Sequence, residues 1–421
     1  MKRMRGTRGL WLVLGLVAGA GWLSACAAPD PRSGETAAAA ATATSSATST
    51  APASAPATDA LPTTTTQLVP PQPPPARAAA EFKTDFSRAS VSFEDILSGG
   101  PPKDGIPAID APQFVDVAEA DAWLKPNEPV IRVQIGPDAR AYPLQILMWH
   151  ELVNDTVGGV PVVVSFCPLC NTAIAFERMV GGRVLDFGTT GRLRYSNLIM
   201  YDRQTESWWQ QGPGTAIVGE LTGAQLKFVP AAVVSWADFK SVHPDGRVLS
   251  RDTGHTRPYG RNPYEGYDDV NRPPFLYQGP AISGTLPAVA RVLGIELGGE
   301  AVAYPFEVLQ QARVVSDSVG GTPIVVFWAP GTASALDAAA VPDGRDVGAA
   351  NAFERRLDGR LLEFSFDGER IVDAETGSAW DLFGRAVSGP LEGEALTPVV
   401  AVNHFWFSWS VFKPGTRVHG L

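Results

Sequence analysis

Cysteine and histidine are scarce: 421 residues carry three cysteines and five histidines. That argues against a disulfide-stapled scaffold and against a zinc ribbon, which is built from two Cys-x-x-Cys pairs. The chain also lacks a Gly-x-Ser-x-Gly elbow, a Walker-type loop, a dinucleotide fingerprint and a His-Glu-x-x-His helix. Positive charge is in the minority, with 34 Lys and Arg against 44 Asp and Glu and a net charge of -10. That balance argues against nucleic acid or anionic lipid as the main partner. Beyond the N-terminus no run is long and apolar enough to span a bilayer.

What is present begins with a leader. Lys2, Arg3, Arg5 and Arg8 precede an apolar run from Leu10 to Trp22, ending in Leu23-Ser24-Ala25-Cys26. Residues 1–26 read as a signal peptide whose end resembles a lipobox, which implies cleavage before Cys26 and its lipidation. The partner expected from this is a bacterial membrane, contacted through the lipid, with the protein in the extracytoplasmic cell envelope. Residues 27–80, rich in Ala, Thr, Ser and Pro, cannot bury enough apolar surface to order themselves and read as a disordered tether.

Hydrophobic content of 45%, with 11 Trp and 19 Phe, predicts an aromatic-rich, β-dominated α+β fold. Residues 81–130 read as a lead-in, with short helices expected over Phe93–Leu97 and within Phe114–Trp123. An internal repeat follows. Ala141-Tyr142-Pro143-Leu144 recurs as Ala303-Tyr304-Pro305-Phe306, and Asn154-Asp155-Thr156-Val157-Gly158-Gly159 as Ser316-Asp317-Ser318-Val319-Gly320-Gly321, at one constant spacing. Asp202 to Thr205 with Trp209 matches Asp373 to Thr376 with Trp380. Two degenerate repeats, 131–250 and 290–421, packed into one compact body are the expected architecture. The Tyr- and Pro-rich connector between them, 251–289, reads as a packed loop or a lid.

The first repeat carries the chemistry. A β-branched run, Val162-Val163-Val164, delivers Cys167 and Cys170 to a strand end, where Pro168 stops the ladder. In the second copy Cys167 corresponds to Ala329, Cys170 to Thr332, His150 to Ala312 and Glu151 to Arg313. Residues confined to one copy are candidates for function rather than fold. Cys167, Cys170 and His150 are thus the candidate catalytic set, with the thiols cycling between dithiol and disulfide and His150 assisting. The same three residues could instead bind copper or zinc, with Met148 or Glu151 as a further ligand. A non-catalytic envelope binding or scaffold protein is the reading from another class. Too few residues separate Cys170 from Gly181-Gly182 for a thioredoxin-like helix.

Weaker features are assigned to the fold. Gly188 to Arg192 reads as a hairpin loop, Asp155 and Asp317 as turn caps, and the Trp208-Trp209 pair as core. His243, His255, His404 and His419 read as structural or solvated.

Trp149-His150-Glu151-x-x-Asn154-Asp155, Ser165-Phe166-Cys167-Pro168-Leu169-Cys170-Asn171-Thr172 and Gly191-x-Leu193-x-x-Ser196-Asn197-Leu198 resemble the bacterial domain-of-unknown-function 3179 family. Tyr201-Asp202-x-x-Thr205-x-Ser207-x-Trp209-x-Gln211, Asn262-Pro263-Tyr264 and Phe405-Trp406-Phe407-x-Trp409 do so too. The resemblance runs from about residue 90 to the C-terminus. It implies kinship and export, and brings no reaction with it.

Overall fold

β-branched residues at Val130, Ile131, Val133 and Ile135 build the first long strand, β1 (Pro129–Ile135). It turns at Gly136 into β2 (Asp138–Pro143), and the two pair antiparallel from Val130↔Pro143 to Ile135↔Asp138. Pro143 ends the ladder and opens α1 (Leu144–His150), which buries Leu144, Ile146, Leu147 and Met148. The helix stops after seven residues because Glu151 takes φ 59. β3 (Leu152–Val157) and β4 (Val160–Cys167) then form a hairpin over Gly158 and Gly159, both at positive φ, as a tight two-residue turn requires. β5 (Thr172–Glu177) pairs with the other side of β4.

The computed structural model describes residues 66–421. Cys26, the expected signal peptide and most of the expected tether lie outside the described residues. The tether's final part is not free: Val69 N donates to Ala89 O at 2.8 Å, and Gln72 bonds Val91 O and Phe93 N. One backbone bond and the Gln72 side chain thus fix the chain there before residue 81.

A second sheet lies beside this one. β6 (Phe187–Arg194), β7 (Asn197–Asp202) and β8 (Trp208–Gln210) run antiparallel, with Ile96–Ser98 at one edge and Thr215–Val218 at the other. The helix expected over Phe93–Leu97 is only a 3₁₀ turn, Phe93–Asp95, because Ile96 and Leu97 pair with Arg194 and Leu193. The helix expected within Phe114–Trp123 is present as Val117–Asp121, capped by Asp116. Gly188 to Arg192 is not a hairpin loop. It lies inside β6, with a bulge between Thr189 and Arg192, and the reversal falls at Tyr195-Ser196. Gly191 sits in the bulge at φ +67, where a Cβ would meet the Pro101 carbonyl oxygen at 2.0 Å. Trp208 and Trp209 are fully buried, as core residues.

The C-terminal part follows the same order of elements. β9 (Arg291–Leu297) pairs with β10 (Glu300–Pro305), α2 (Phe306–Ala312) ends at Arg313 with φ 65, and β11 (Val314–Val319) pairs with β12 (Thr322–Ala329). The whole is β-dominated, with small sheets and short helices. Among the described residues no helix is long and apolar enough to cross a membrane.

Asp155 and Asp317 do more than cap turns. Tyr142 OH donates to Asp155 at 2.5 Å and Arg140 forks onto both its oxygens, while Tyr304 OH donates to Asp317 at 2.8 Å beside Arg417. Each carboxylate ties a strand hairpin to the next one. Arg140 is 18% exposed and Arg417 40%, so the first cluster is the more desolvated. Asp155→Ala should therefore cost about 3–4 kcal/mol in chemical denaturation, and Asp317→Ala about 1–2 kcal/mol. Equal losses would show that burial does not set the difference.

Candidate functional site

The dithiol sits where β4 ends. Cys167 closes the strand, Pro168–Cys170 makes one 3₁₀ turn, and Asn171, at φ 50, turns the chain into β5. No long helix follows the motif, so the arrangement is not that of thioredoxin. Both thiols are free and buried, with their sulfurs 3.1 Å apart. Cys170 Sγ donates to Ser196 O at 3.2 Å and accepts from Asn197 Nδ2 at 3.3 Å. Burial, then the Cys170 thiol, then the Glu151 carboxyl push the Cys167 thiol well above its ordinary value.

Beneath the sulfurs lies a connected polar network. Asn197 Nδ2 also donates to Gln211 Oε1, Gln211 Nε2 donates to Ser165 Oγ and Thr172 O, and Thr172 Oγ1 contacts His404 Nδ1 at 2.8 Å. Burial pushes His404 down to about 3, so this imidazole stays neutral. It is a structural histidine. The network holds the 3₁₀ turn and the β7 start against each other.

His150 is placed differently from the expectation. Its Nδ1 donates to Pro107 O at 2.8 Å, and its Nε2 accepts from Tyr259 OH at 2.7 Å. Burial, with His255 and Arg257 nearby, pushes it down to about 4. Nε2 thereby ties the connector to α1 and Nδ1 ties α1 to the lead-in, and neither bonds a sulfur. Nor are Cys167, Cys170 and His150 gathered as metal ligands, with or without Glu151. Among the described residues there is no group of three His, Cys, Asp or Glu side chains placed to hold an ion. Met148 is core.

Glu151, unlike His150, is an ionisable group that acts on Cys167. Its backbone extends the β3–β4 ladder, with Phe166 N donating to Glu151 O at 2.8 Å. The side chain is nine-tenths buried and has no hydrogen-bond or ion-pair partner among the described residues. It opens into a cavity of about 750 Å³, lined also by Leu169, Leu198, Tyr264, Tyr267 and Phe275. The connector supplies one wall. Tyr267 OH donates to Leu169 O at 3.0 Å, and Ser196 Oγ donates to Phe275 O at 2.6 Å. Next to Tyr267, the buried Asp268 carboxylate fixes the middle of the connector by holding Arg291 and Arg345.

The family model described as a protein of unknown function, DUF3179, matches residues 103–416. The chain belongs to that family. No curated protein and no solved structure matches it. In this DUF3179 member, the residues that composition and spacing missed are Ser196, Asn197, Tyr264 and Tyr267. The first three fall in the family motifs Ser196-Asn197-Leu198 and Asn262-Pro263-Tyr264, the signal that could have found them.

Burial alone raises the Glu151 carboxyl from 4.5 to about 8. A raised folded value means stability that is complete below pH 4.5 and lost as pH climbs through about 8. Glu151→Gln removes that loss. In denaturation series between pH 4.5 and about 8, the variant should gain on the wild type by up to a few kcal/mol as pH rises. Parallel curves would mean that the carboxyl is solvated.

Proposed function

We propose that this is a lipid-anchored, extracytoplasmic protein of the bacterial envelope in which Cys167 and Cys170 perform thiol–disulfide exchange. The observation that carries the reading is the pair of free thiols with sulfurs 3.1 Å apart. A disulfide bond is about 2 Å long, so closing it needs a shift of about 1 Å on a turn already bent for it. Oxidation removes two protons and two electrons from the dithiol, and a disulfide acceptor takes them up to become two thiols. The matching order of elements in the N- and C-terminal parts supports a duplicated architecture in which one copy kept the chemistry.

Burial keeps the Cys167 thiol protonated at rest, and thiolate rather than thiol attacks. Reaction thus requires the connector to lift. The Tyr267 hydroxyl bond to Leu169 O is its nearest fastening to the motif. Tyr267→Phe should speed alkylation of the reduced pair about fivefold, the equivalent of ~1 kcal/mol for one hydrogen bond. An unchanged rate would place the barrier elsewhere.

The redox reading is tested on the intact purified chain, equilibrated in thiol–disulfide buffers across a range of potentials and quenched by alkylation. Both thiols should disappear together by mass, over one two-electron transition, and Cys167→Ser should abolish it. A pair that remains reduced at every potential overturns the reading. Near-stoichiometric copper or zinc that is lost in the double serine variant would replace it with a metal site.

A further inference from the structure

The cavity beside the motif is mostly apolar, with proline and aromatic walls and few polar groups, the character of a small-molecule site. Its volume of about 750 Å³ falls in the range of such sites. The charged groups that line it are unevenly satisfied. Arg192 is buried and bound to Glu81, to Thr190 O and to Ala76 O. Arg272 is 66% exposed and pairs with Asp269. Each cation thus already pairs with a carboxylate, Arg192 in a buried pair and Arg272 in an exposed one. The carboxylic groups do not pair: neither Glu151 nor Glu265 has an ion-pair partner among the described residues.

Glu151 is the more telling of the two. A carboxyl nine-tenths buried without a hydrogen bond is costly, and natural structures seldom keep one without a use. The corresponding residue of the C-terminal part, Arg313, shares the backbone turn but lies over the Trp328 ring, 4.6 Å from its centroid. The fold requires the turn, therefore, and not the carboxyl. The rings of Tyr264, Tyr267 and Phe275 line the same space, and aromatic faces attract a cation.

We infer that this cavity binds a small apolar molecule carrying a protonated amine, the ammonium group meeting Glu151 and the apolar body lying against Leu198, Pro274 and Phe275. An ammonium supplies both the charge and the donors that the carboxyl lacks. Among the described residues lining the cavity the two acids lack an ion-pair partner, whereas each of the two cations has one, so an anionic ligand is the less favoured.

The test measures calorimetric binding of phenylbutylamine, phenylbutanol and phenylbutanoate to the intact purified chain. The amine should bind at least about tenfold more tightly than the isosteric alcohol, and the acid most weakly. Glu151→Gln should erase the preference for the amine while leaving the alcohol's affinity unchanged. The exposed Glu265→Gln, which does not endanger folding, should weaken the amine a few-fold. Cys167→Ser/Cys170→Ser should leave all three affinities as they are, so this site and the redox reading fail separately. Equal affinity for amine and alcohol, preference for the acid, or no binding by any probe would overturn the inference. So would a preference for the amine that survives in Glu151→Gln with its thermal melt intact.

Discussion

The geometry around the dithiol depends on where one short helix is made to stop. α1 ends at Glu151, which adopts φ 59, a conformation that costs a non-glycine residue on the order of 1–3 kcal/mol. Arg313 does the same after α2, at φ 65. The strain is tolerated because the hairpins on either side over-determine the turn: Pro143 pairs with Val130 before the helix, and Leu152 with Ser165 after it. An abrupt reversal brings β3 directly alongside β4, and β4 then ends at Cys167. A helix one turn longer would displace the strand that positions the motif.

From this constraint the electrostatics of the site follow. Glu151 is carried into the interior by the backbone, not drawn there by a partner, so its carboxyl stays protonated well above the usual carboxylate range. Burial, first of all, pushes up Cys167 and Tyr264 as well, with the nearby Glu151 carboxyl adding to both. Three neighbouring acids of different kinds thus all favour their neutral forms. The connector is fastened beside them, Tyr267 bonding Leu169 O of the motif and Tyr259 bonding His150 of α1.

The Tyr-Pro and Gly-Gly signals were legible because each residue acts through local geometry: proline ends a ladder, and paired glycines make a two-residue turn. The cysteine motif at a strand end was legible for the same reason, since β-branched residues and a proline mark the end of β4. The aspartates read as turn caps, because the tyrosine and arginine that bind them belong to a neighbouring strand. His150 misled because its type suggests chemistry, whereas a neutral imidazole between Pro107 O and Tyr259 OH serves equally well as a clamp. Gly188 to Arg192 misled because glycine marks a bulge as readily as a hairpin. Ile96 and Leu97 formed a strand where a helix was expected because an edge partner in β6 outweighed the preference of five residues.

By itself, the sequence determined the class of fold, the leading candidate pair and membership of the DUF3179 family, all of which depend on residue types at fixed short spacings. The tertiary structure decided which groups meet. Asn197 reaches Cys170 across two strands, Tyr267 reaches Leu169 from a connector about a hundred residues away, and Glu151 faces a cavity that no local pattern encodes. Spacing along a chain constrains contacts within a turn or a hairpin. Burial and unpaired charge are properties of the packed whole, and they appear only once distant segments have closed around them.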